Sequence, residues 1–383
     1  MKKIKENGIG IGGIISILLG CLTGFAIMMH LLTATDGEID LDGIRFIIFI
    51  LMYFAATFIN VIIHEGGHLI FGLLTGYKFL SFRIFSTVWV KHEGKILRKK
   101  YNIAGTAGQC LMWPPEYNDG DFSYVLMNLG GGLMNIIIST LLLFVSGRLP
   151  KDGYLWLMSI ITAYCGYLAA ATNLIPMRMN GLPNDGKNAL MMKADPHFRE
   201  IFWKELYINA CLTTGVPYDA LDSWLYNTDG VGTDDLHSVY IHAVNGDICM
   251  SKGEYEKALE IFDNILENPL VNESVSGLSM LREKIFIMML LGYDKAEING
   301  LISKKLKNYM KQMAILPSTR RTEYAIELYL NENIQNALKK ETAFEDSLKN
   351  SPYVSVDVLE KQLFSSFKEK YFAKYSESDY NVS

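Results

Sequence analysis

Paired cysteines are missing from this sequence of 383 residues. Its five cysteines are scattered along the chain, and no two of them form a C-x-x-C motif. Neither a disulfide framework nor a cysteine zinc site is therefore indicated. We interpret the five thiols as small buried side chains in a reducing compartment.

Charged residues are scarce in the first half of the chain. Residues 1–178 contain 14 Lys and Arg and 11 Asp and Glu, whereas residues 179–383 contain 22 and 30. This asymmetry excludes a purely soluble protein and a wholly embedded one, and it predicts a membrane domain followed by a soluble domain. The second half is acidic and the formal net charge is −5, so we expect no nucleic-acid partner.

Four apolar stretches are long enough to cross a bilayer, which requires about 20 residues. They cover residues 9–33, 44–74, 124–145 and 154–176. The first follows a lysine-rich N-terminus like that of a signal peptide, but its apolar run is too long and no clear cleavage site follows. The sequence therefore predicts an integral membrane protein in contact with the lipid bilayer.

The basic residues predict how the spans are oriented. Lysines precede the first span, the charged residues of the loop at residues 35–43 are all acidic, and seven basic residues lie within residues 78–100. The positive-inside rule therefore places both termini and residues 78–121 in the cytosol. We expect the membrane to be a bacterial plasma membrane.

A polar cluster interrupts the second span, where residues 61–70 read V-I-I-H-E-G-G-H-L-I. On a helix, His64 and His68 lie one turn apart on the same face, so both imidazoles can reach one metal ion. Zinc suits such ligands and activates water, and Glu65 can take the proton from that water. The alternative is a buried polar cluster that holds the helices together.

A catalytic zinc needs a third protein ligand and an open position for water. The second span enters from the outer side, so its histidines lie near the cytosolic face, where the fourth span ends at Pro176. Asp185, in a glycine- and proline-rich loop, is the best-placed carboxylate, and Asp195 is the reserve candidate. A solvated turn is the alternative for Asp185.

These motifs resemble those of the site-2 protease family of intramembrane zinc metalloproteases. Residues 64–68 match its H-E-x-x-H helix, residues 173–186 match its N-x-x-P…D-G element, and residues 131–135 match its G-x-x-x-N signature. The resemblance covers about residues 44–190. It implies a core of three spans and cleavage of a membrane-spanning or membrane-associated protein or peptide substrate near the cytosolic face.

The resemblance also implies roles for particular residues. One Zn²⁺ per chain would be held by His64, His68 and Asp185, with Glu65 as the general base. Family members usually have four residues between the proline and the aspartate, whereas eight separate Pro176 from Asp185 here. The assignment of Asp185 therefore requires a longer loop to fold back to the metal.

Two asparagines and one β-rich segment are further candidates near the site. Asn135 and Asn173 could bind the substrate backbone or the developing oxyanion, or could form hydrogen bonds between helices. Residues 78–103 predict a β-hairpin with a turn at Glu93-Gly94. It is either a re-entrant element that captures substrate by strand addition or a plain cytosolic hairpin. Residues 105–110 allow close backbone approach or form a simple loop.

The C-terminal part predicts a soluble helical domain. Residues 240–269 resemble one tetratricopeptide repeat, and residues 274–292, 297–315 and 320–347 supply further helices. Such a domain could bind a protein partner or restrain access to the site, or it could serve packing alone. We expect the last residues, 375–383, to be frayed.

The complete prediction is an all-α polytopic membrane protein with a small re-entrant β-hairpin and a soluble tetratricopeptide-like domain. Residues 1–190 would form the membrane metalloprotease domain and residues 195–375 the cytosolic helical domain. The alternative function is a non-catalytic membrane-anchored scaffold with a helical partner-binding domain. A metal transporter is disfavoured because the other spans contain almost no ionisable residues.

Overall fold

The computed structural model describes residues 11–34, 43–102, 106–179, 182–272 and 274–376. These residues fall into two compact units. The first lies within Met1–Ile84 and Ala107–Glu200, and the second within Phe85–Thr106 and Ile201–Ser383. The N-terminal lysines and most of the acidic loop on which the orientation was based lie outside the described residues.

The first unit contains four helices long and apolar enough to cross a membrane. They are α1 (Ile11–Ala34), α2 (Gly43–Leu74), α3 (Val125–Ser146) and α4 (Tyr154–Leu174). The predicted spans are confirmed to within two residues at each end, and α2 continues through the polar cluster without a break. Many large apolar side chains of these helices are exposed, as expected for surfaces that face lipid. The protein is therefore a polytopic helical membrane protein.

Small residues bring these helices close together. A Cβ atom on Gly67 of α2 would lie 2.3 Å from the carbonyl oxygen of Gly130 in α3. A Cβ on Gly166 of α4 would lie 2.1 Å from the hydroxyl of Ser139 in α3. Backbones that approach this closely gain van der Waals contact where no hydrophobic driving force operates. Helix α3 thus packs on both α2 and α4.

The β-structure is antiparallel and small, as the sequence predicted. In the first unit β1 (Lys78–Ile84) pairs with β4 (Gly108–Trp113). In the second unit β2 (Thr87–His92) pairs with β3 (Lys95–Lys100) across the predicted turn at Glu93-Gly94, where both residues have positive φ. A turn at Phe85, with φ of 50°, divides the single strand expected at residues 78–90 into two.

The segment after α4 contains structure that was predicted as a loop. Strand β5 (Arg178–Met179) pairs with β6 (Leu182–Pro183), and α5 (Asp185–Ala194) begins at Asp185. The residues between the two short strands lie outside the described ranges. Helix α6 (Pro196–Thr214) follows.

Apart from the β2–β3 hairpin, the second unit is helical, and most of α6 belongs to it. Its helices are α7 (Leu236–Ser251), α8 (Tyr255–Leu266), α9 (Pro269–Asn272), α10 (Val275–Leu291), α11 (Lys295–Leu301), α12 (Lys304–Gln312), α13 (Pro317–Ala325), α14 (Ile334–Asn350) and α15 (Val354–Ser376). The helices expected at 297–315 and 320–347 are each divided in two. The first break ends at α12, which Ser303 caps, and the second ends at α14, which Asn333 caps. Each break is therefore fixed by a capping side chain.

Helices α7 and α8 form the helix pair expected from the repeat-like segment. A Cβ on Gly246 would lie 2.7 Å from the Phe262 ring, so the glycine admits the ring of the partner helix. The tetratricopeptide resemblance stays a prediction.

A buried ionic cluster joins three of the later helices. The guanidinium of Arg321 (α13) lies 2.6 Å from carboxylate oxygens of both Glu283 (α10) and Glu360 (α15), and it is 0% exposed. Arg282 also pairs with Glu283, so two cations balance two anions away from water. Removing one member of such a set leaves a buried charge unpaired, which is strongly destabilising.

Candidate metal centre

The structure brings together three of the residues that the sequence singled out as metal ligands. His64 and His68 project from one face of α2, and Asp185 is the first residue of α5. The two Nε2 atoms are 3.1 Å apart, and Oδ2 of Asp185 lies 3.3 Å from Nε2 of His64 and 3.5 Å from Nε2 of His68. These three atoms form a nearly equilateral triangle.

The size of this triangle fits a zinc ion. In a tetrahedral site with metal–ligand distances of about 2.0–2.2 Å, neighbouring ligand atoms are about 3.3–3.6 Å apart. The three observed edges of 3.1, 3.3 and 3.5 Å are close to this range. Two imidazoles and one carboxylate are also a ligand set that zinc takes in catalytic sites.

The hydrogen bonds of the two rings direct their lone pairs into the triangle. Nδ1 of His68 lies 2.7 Å from the carbonyl oxygen of Met127, which can only accept, so Nδ1 must carry the proton. A neutral His68 then has its lone pair on Nε2, which faces Asp185. A hydrogen bond from the ring nitrogen that does not bind the metal fixes the tautomer and the orientation of a metal-binding histidine.

A pair of asparagines orients His64 in the same way. Nδ2 of Asn135 donates to the carbonyl oxygen and to Oδ1 of Asn60, at 3.2 and 3.0 Å. Oδ1 of Asn135 is therefore the atom that lies 3.1 Å from Nδ1 of His64, and it accepts the proton of that ring nitrogen. Asn60 in turn donates to the carbonyl oxygen of Thr162 in α4. Three helices thus hold one imidazole.

The carboxylate of Asp185 completes a set of facing electron-pair donors. Its Oδ2 is buried and has no hydrogen-bond donor among the described residues. Three electron-rich atoms this close repel one another unless a cation or a proton lies between them. The residues present therefore fit a divalent metal.

Asn184 explains how the long loop after Pro176 still delivers the aspartate. Its Nδ2 donates to the carbonyl oxygens of Thr172 and Ile175 at the end of α4, at 2.7 and 2.6 Å. Its Oδ1 accepts from the backbone N–H groups of Met177 and Lys187. The short β5–β6 pairing takes up the additional residues. One side chain therefore closes the loop and caps α5 immediately before Asp185.

The side chain of Glu65 lies beside strand β4. A Cβ atom on Gly108 would lie 2.5 Å from Oε1 of Glu65, so the carboxylate is in contact with the strand backbone. Glu65 and His64 also line a cavity of about 470 Å³ that includes Gly108 and Asn173. Arg83 of β1 is buried and donates to the carbonyl oxygen of Gly108 at 3.3 Å, which ties the two strands together behind the carboxylate.

The other sequence candidates lie in different places. Asn173 lines the cavity, with its Nδ2 donating to the carbonyl oxygen of Ala169 on its own helix. Asn135 is fully buried and contacts His64 instead of the cavity. The reserve candidate Asp195 is at the opposite end of α5 from Asp185, where its side chain accepts from the backbone N–H of His197.

Sequence reasoning missed Asn60 and Asn184, whereas the close backbone approach expected as one alternative for residues 105–110 is found at Gly108. Asn60 precedes His64 by four residues, and this spacing alone places both side chains on the same face of the helix. Asn184 stands immediately before the first residue of α5, as capping residues do. The sequence around it has no helical pattern, so the helix and its cap were not predicted. The contact of Gly108 depends on a strand pairing that the small-residue run did not reveal.

The fold and the centre define a class: a polytopic membrane protein with a histidine–aspartate metal-site geometry beside a glutamate on a membrane-spanning helix. A family model described as Peptidase M50B-like matches residues 44–237, just over half of the chain, so the protein belongs to this family. This confirms the resemblance to site-2 proteases. Comparison with curated proteins and with solved structures gave no match.

Proposed function

We propose that this protein is an intramembrane zinc endopeptidase. The observation that carries the proposal is the set of three facing electron-pair donors, Nε2 of His64, Nε2 of His68 and Oδ2 of Asp185, next to Glu65. Membership of a membrane peptidase family supports the reaction class. The residue roles, the metal and the substrate class are inferred from the geometry and the chemistry of the side chains.

His64, His68 and Asp185 would hold one zinc ion. When bound, zinc supplies a Lewis acid that lowers the pKa of a coordinated water to about 7. Glu65 accepts the proton of the attacking water and delivers it to the leaving amine as the peptide bond breaks. The cavity beside Glu65 receives the scissile segment.

The asparagines have different tasks in this proposal. The amide of Asn173 lines the cavity and binds the backbone of the substrate. Asn135 keeps the lone pair of His64 aimed at the metal through the Nδ1 contact, with Asn60 behind it.

The substrate is a membrane-spanning or membrane-associated protein or peptide, cut near the cytosolic face. This follows because His64 and His68 lie in the last third of α2, the end that positive-inside reasoning places toward the cytosol. In this orientation both termini are cytosolic. The metalloprotease domain comprises residues 1–190, and the helical domain of residues 195–375 is available to a protein partner.

The direct test compares the protein with its Glu65→Gln variant in liposomes that contain a model membrane substrate. Glu65→Gln should abolish cleavage while zinc content is unchanged, because Glu65 is not a ligand in the proposal. Gly66→Ala is the matched control, since a Cβ there meets nothing within 4 Å, and it should cleave normally. Equal cleavage by the protein and Glu65→Gln would reject the proposal and favour the scaffold.

A further inference from the structure

The hairpin formed by β2 and β3 has two chemically different faces. Alternate residues of a strand point to opposite faces, and residues directly opposite on paired strands share a face. The observed register pairs Thr87 with Lys100, Trp89 with Arg98 and Lys91 with Ile96. We define these six residues as the outer face.

The inner face is buried only at the end away from the turn, since Leu97, opposite Val90, is 40% exposed. Val88 and Val90 are buried. The ammonium of Lys99, which lies opposite Val88, donates to the carbonyl oxygen of Ser351. The ring of Tyr101 lies edge-on to Tyr353, with centroids 5.8 Å apart. These contacts fix the hairpin to the helical unit through one side.

The outer face combines cations with apolar groups. Lys91, Arg98 and Lys100 are exposed, and the face contains no acidic residue. Ile96 is 63% exposed, and Trp89 is half-buried. An exposed aliphatic side chain, a tryptophan and long basic side chains together are typical of a surface that lies in the headgroup region of an anionic bilayer.

The connection to the spans keeps this hairpin near a membrane. Thr87 follows the end of α2 at Leu74 by 13 residues. A fully extended chain of that length reaches at most about 45 Å, at about 3.5 Å per residue. The protein therefore presents the outer face within reach of the bilayer that α2 crosses, at high effective concentration.

We propose that the outer face binds anionic phospholipid headgroups of the membrane that the protein spans. Each basic residue near such a surface adds to the attraction, so three act together without any groove or pocket. An acidic peptide would satisfy the same charges, but lipid is always present beside the hairpin. This contact is independent of the peptidase activity and can be tested without it.

The experiment uses full-length protein in nanodiscs. Ile96→Cys, in a background with the exposed Cys21 changed to serine, carries a fluorophore, and a nitroxide-headgroup lipid serves as quencher. Discs of neutral lipid are compared with discs containing anionic phospholipid. The label should be quenched at least about twofold more in the anionic discs. A label at Glu345→Cys, exposed on α14, should show no such difference.

Charge reversal supplies the second arm. The triple variant Lys91→Glu, Arg98→Glu, Lys100→Glu should reduce quenching in anionic discs to the neutral level. The matched control reverses three exposed lysines of α12 and should leave quenching unchanged: Lys304, Lys307 and Lys311. In the protein with its basic residues intact, about 1 M salt should also remove the difference, because the Debye length falls to about 3 Å.

Three results would overturn the proposal. Equal quenching in neutral and anionic discs would show that charge does not recruit the face. Quenching that survives both charge reversal and salt would assign the contact to another part of the chain. Protection of the label from quencher only when an acidic peptide is added would identify a peptide site instead.

Discussion

At the scale of single residues, the candidate centre depends on glycines that leave room for functional side chains. A Cβ on Gly131 would lie 2.5 Å from Cε1 of His64, and one on Gly108 would lie 2.5 Å from Oε1 of Glu65. Gly66, in the same motif, meets nothing within 4 Å. A methyl group at Gly131 would therefore displace His64 and one at Gly108 would displace Glu65, whereas one at Gly66 would displace nothing.

Gly108→Ala should lower activity about 100-fold while leaving folding and zinc content intact. The methyl group displaces the flexible end of Glu65, and a shift of about 1 Å in a catalytic group can cost that factor. Cleavage rates and zinc analysis of the same preparations measure the two effects. Gly66→Ala should behave as the unaltered protein. Equal activity of the two variants would contradict the contact of Gly108 with Glu65.

Asn135→Ala should weaken zinc affinity about 10- to 100-fold, as expected when the partner of a metal-binding histidine is removed. Competition with a chelator measures this affinity. If Asn135 acted on the oxyanion instead, zinc affinity would be unchanged and only the turnover rate would fall. Asn173→Ala, which changes a cavity residue, should leave zinc affinity unaffected.

At the scale of elements, one side chain decides whether α5 begins in the right place. Asn184 binds both ends of the loop after α4 and caps α5. Eight residues separate Pro176 from Asp185, and this one side chain holds the two ends of that loop together.

Asn184→Ala should lower zinc affinity and also reduce stability by about 1 kcal/mol through the lost cap. Asn333→Ala is the matched control, because it removes the cap of α14 outside the centre. It should cost a similar free energy of unfolding without changing zinc affinity. If both variants kept full zinc affinity, the loop would not depend on Asn184.

The sequence predicted the elements that have strong local signals. Long apolar runs predicted α1 to α4, and the Glu93-Gly94 pair predicted the β2–β3 turn. Strand β4 and the β5–β6 pairing were missed because their residues gain order only from partners distant in sequence. The same reason hid the contacts of Asn184, whereas the spacing of His64 and His68 is fixed by the helix itself.

At the scale of the whole molecule, buried charge shapes the stability of the second unit. The carboxylate of Asp357, near the start of α15, is partly buried close to Ser351 and Lys99. Burial raises the pKa of Asp357 to about 6, against about 3.9 in the unfolded chain. The folded state therefore favours the protonated form, and this stabilising contribution is lost as the pH rises from about 4 to about 6.

Asp357→Asn should accordingly increase stability above about pH 6, by about 1 kcal/mol after allowance for partial exposure, and have little effect near pH 4. Thermal unfolding at several pH values measures the difference. The exposed Asp219, changed in the same way, should show no such trend. A difference that is equal at all pH values would contradict a perturbed Asp357.

The central claim is that His64, His68 and Asp185 bind one zinc ion. X-ray absorption at the zinc edge of the purified, membrane-reconstituted protein tests it most directly. The account predicts about one zinc per chain with nitrogen and oxygen ligands at about 2.0–2.2 Å, and its loss in His64→Ala. Protein that stays free of zinc when supplied with it, or a spectrum with sulfur ligands at about 2.3 Å, would contradict it.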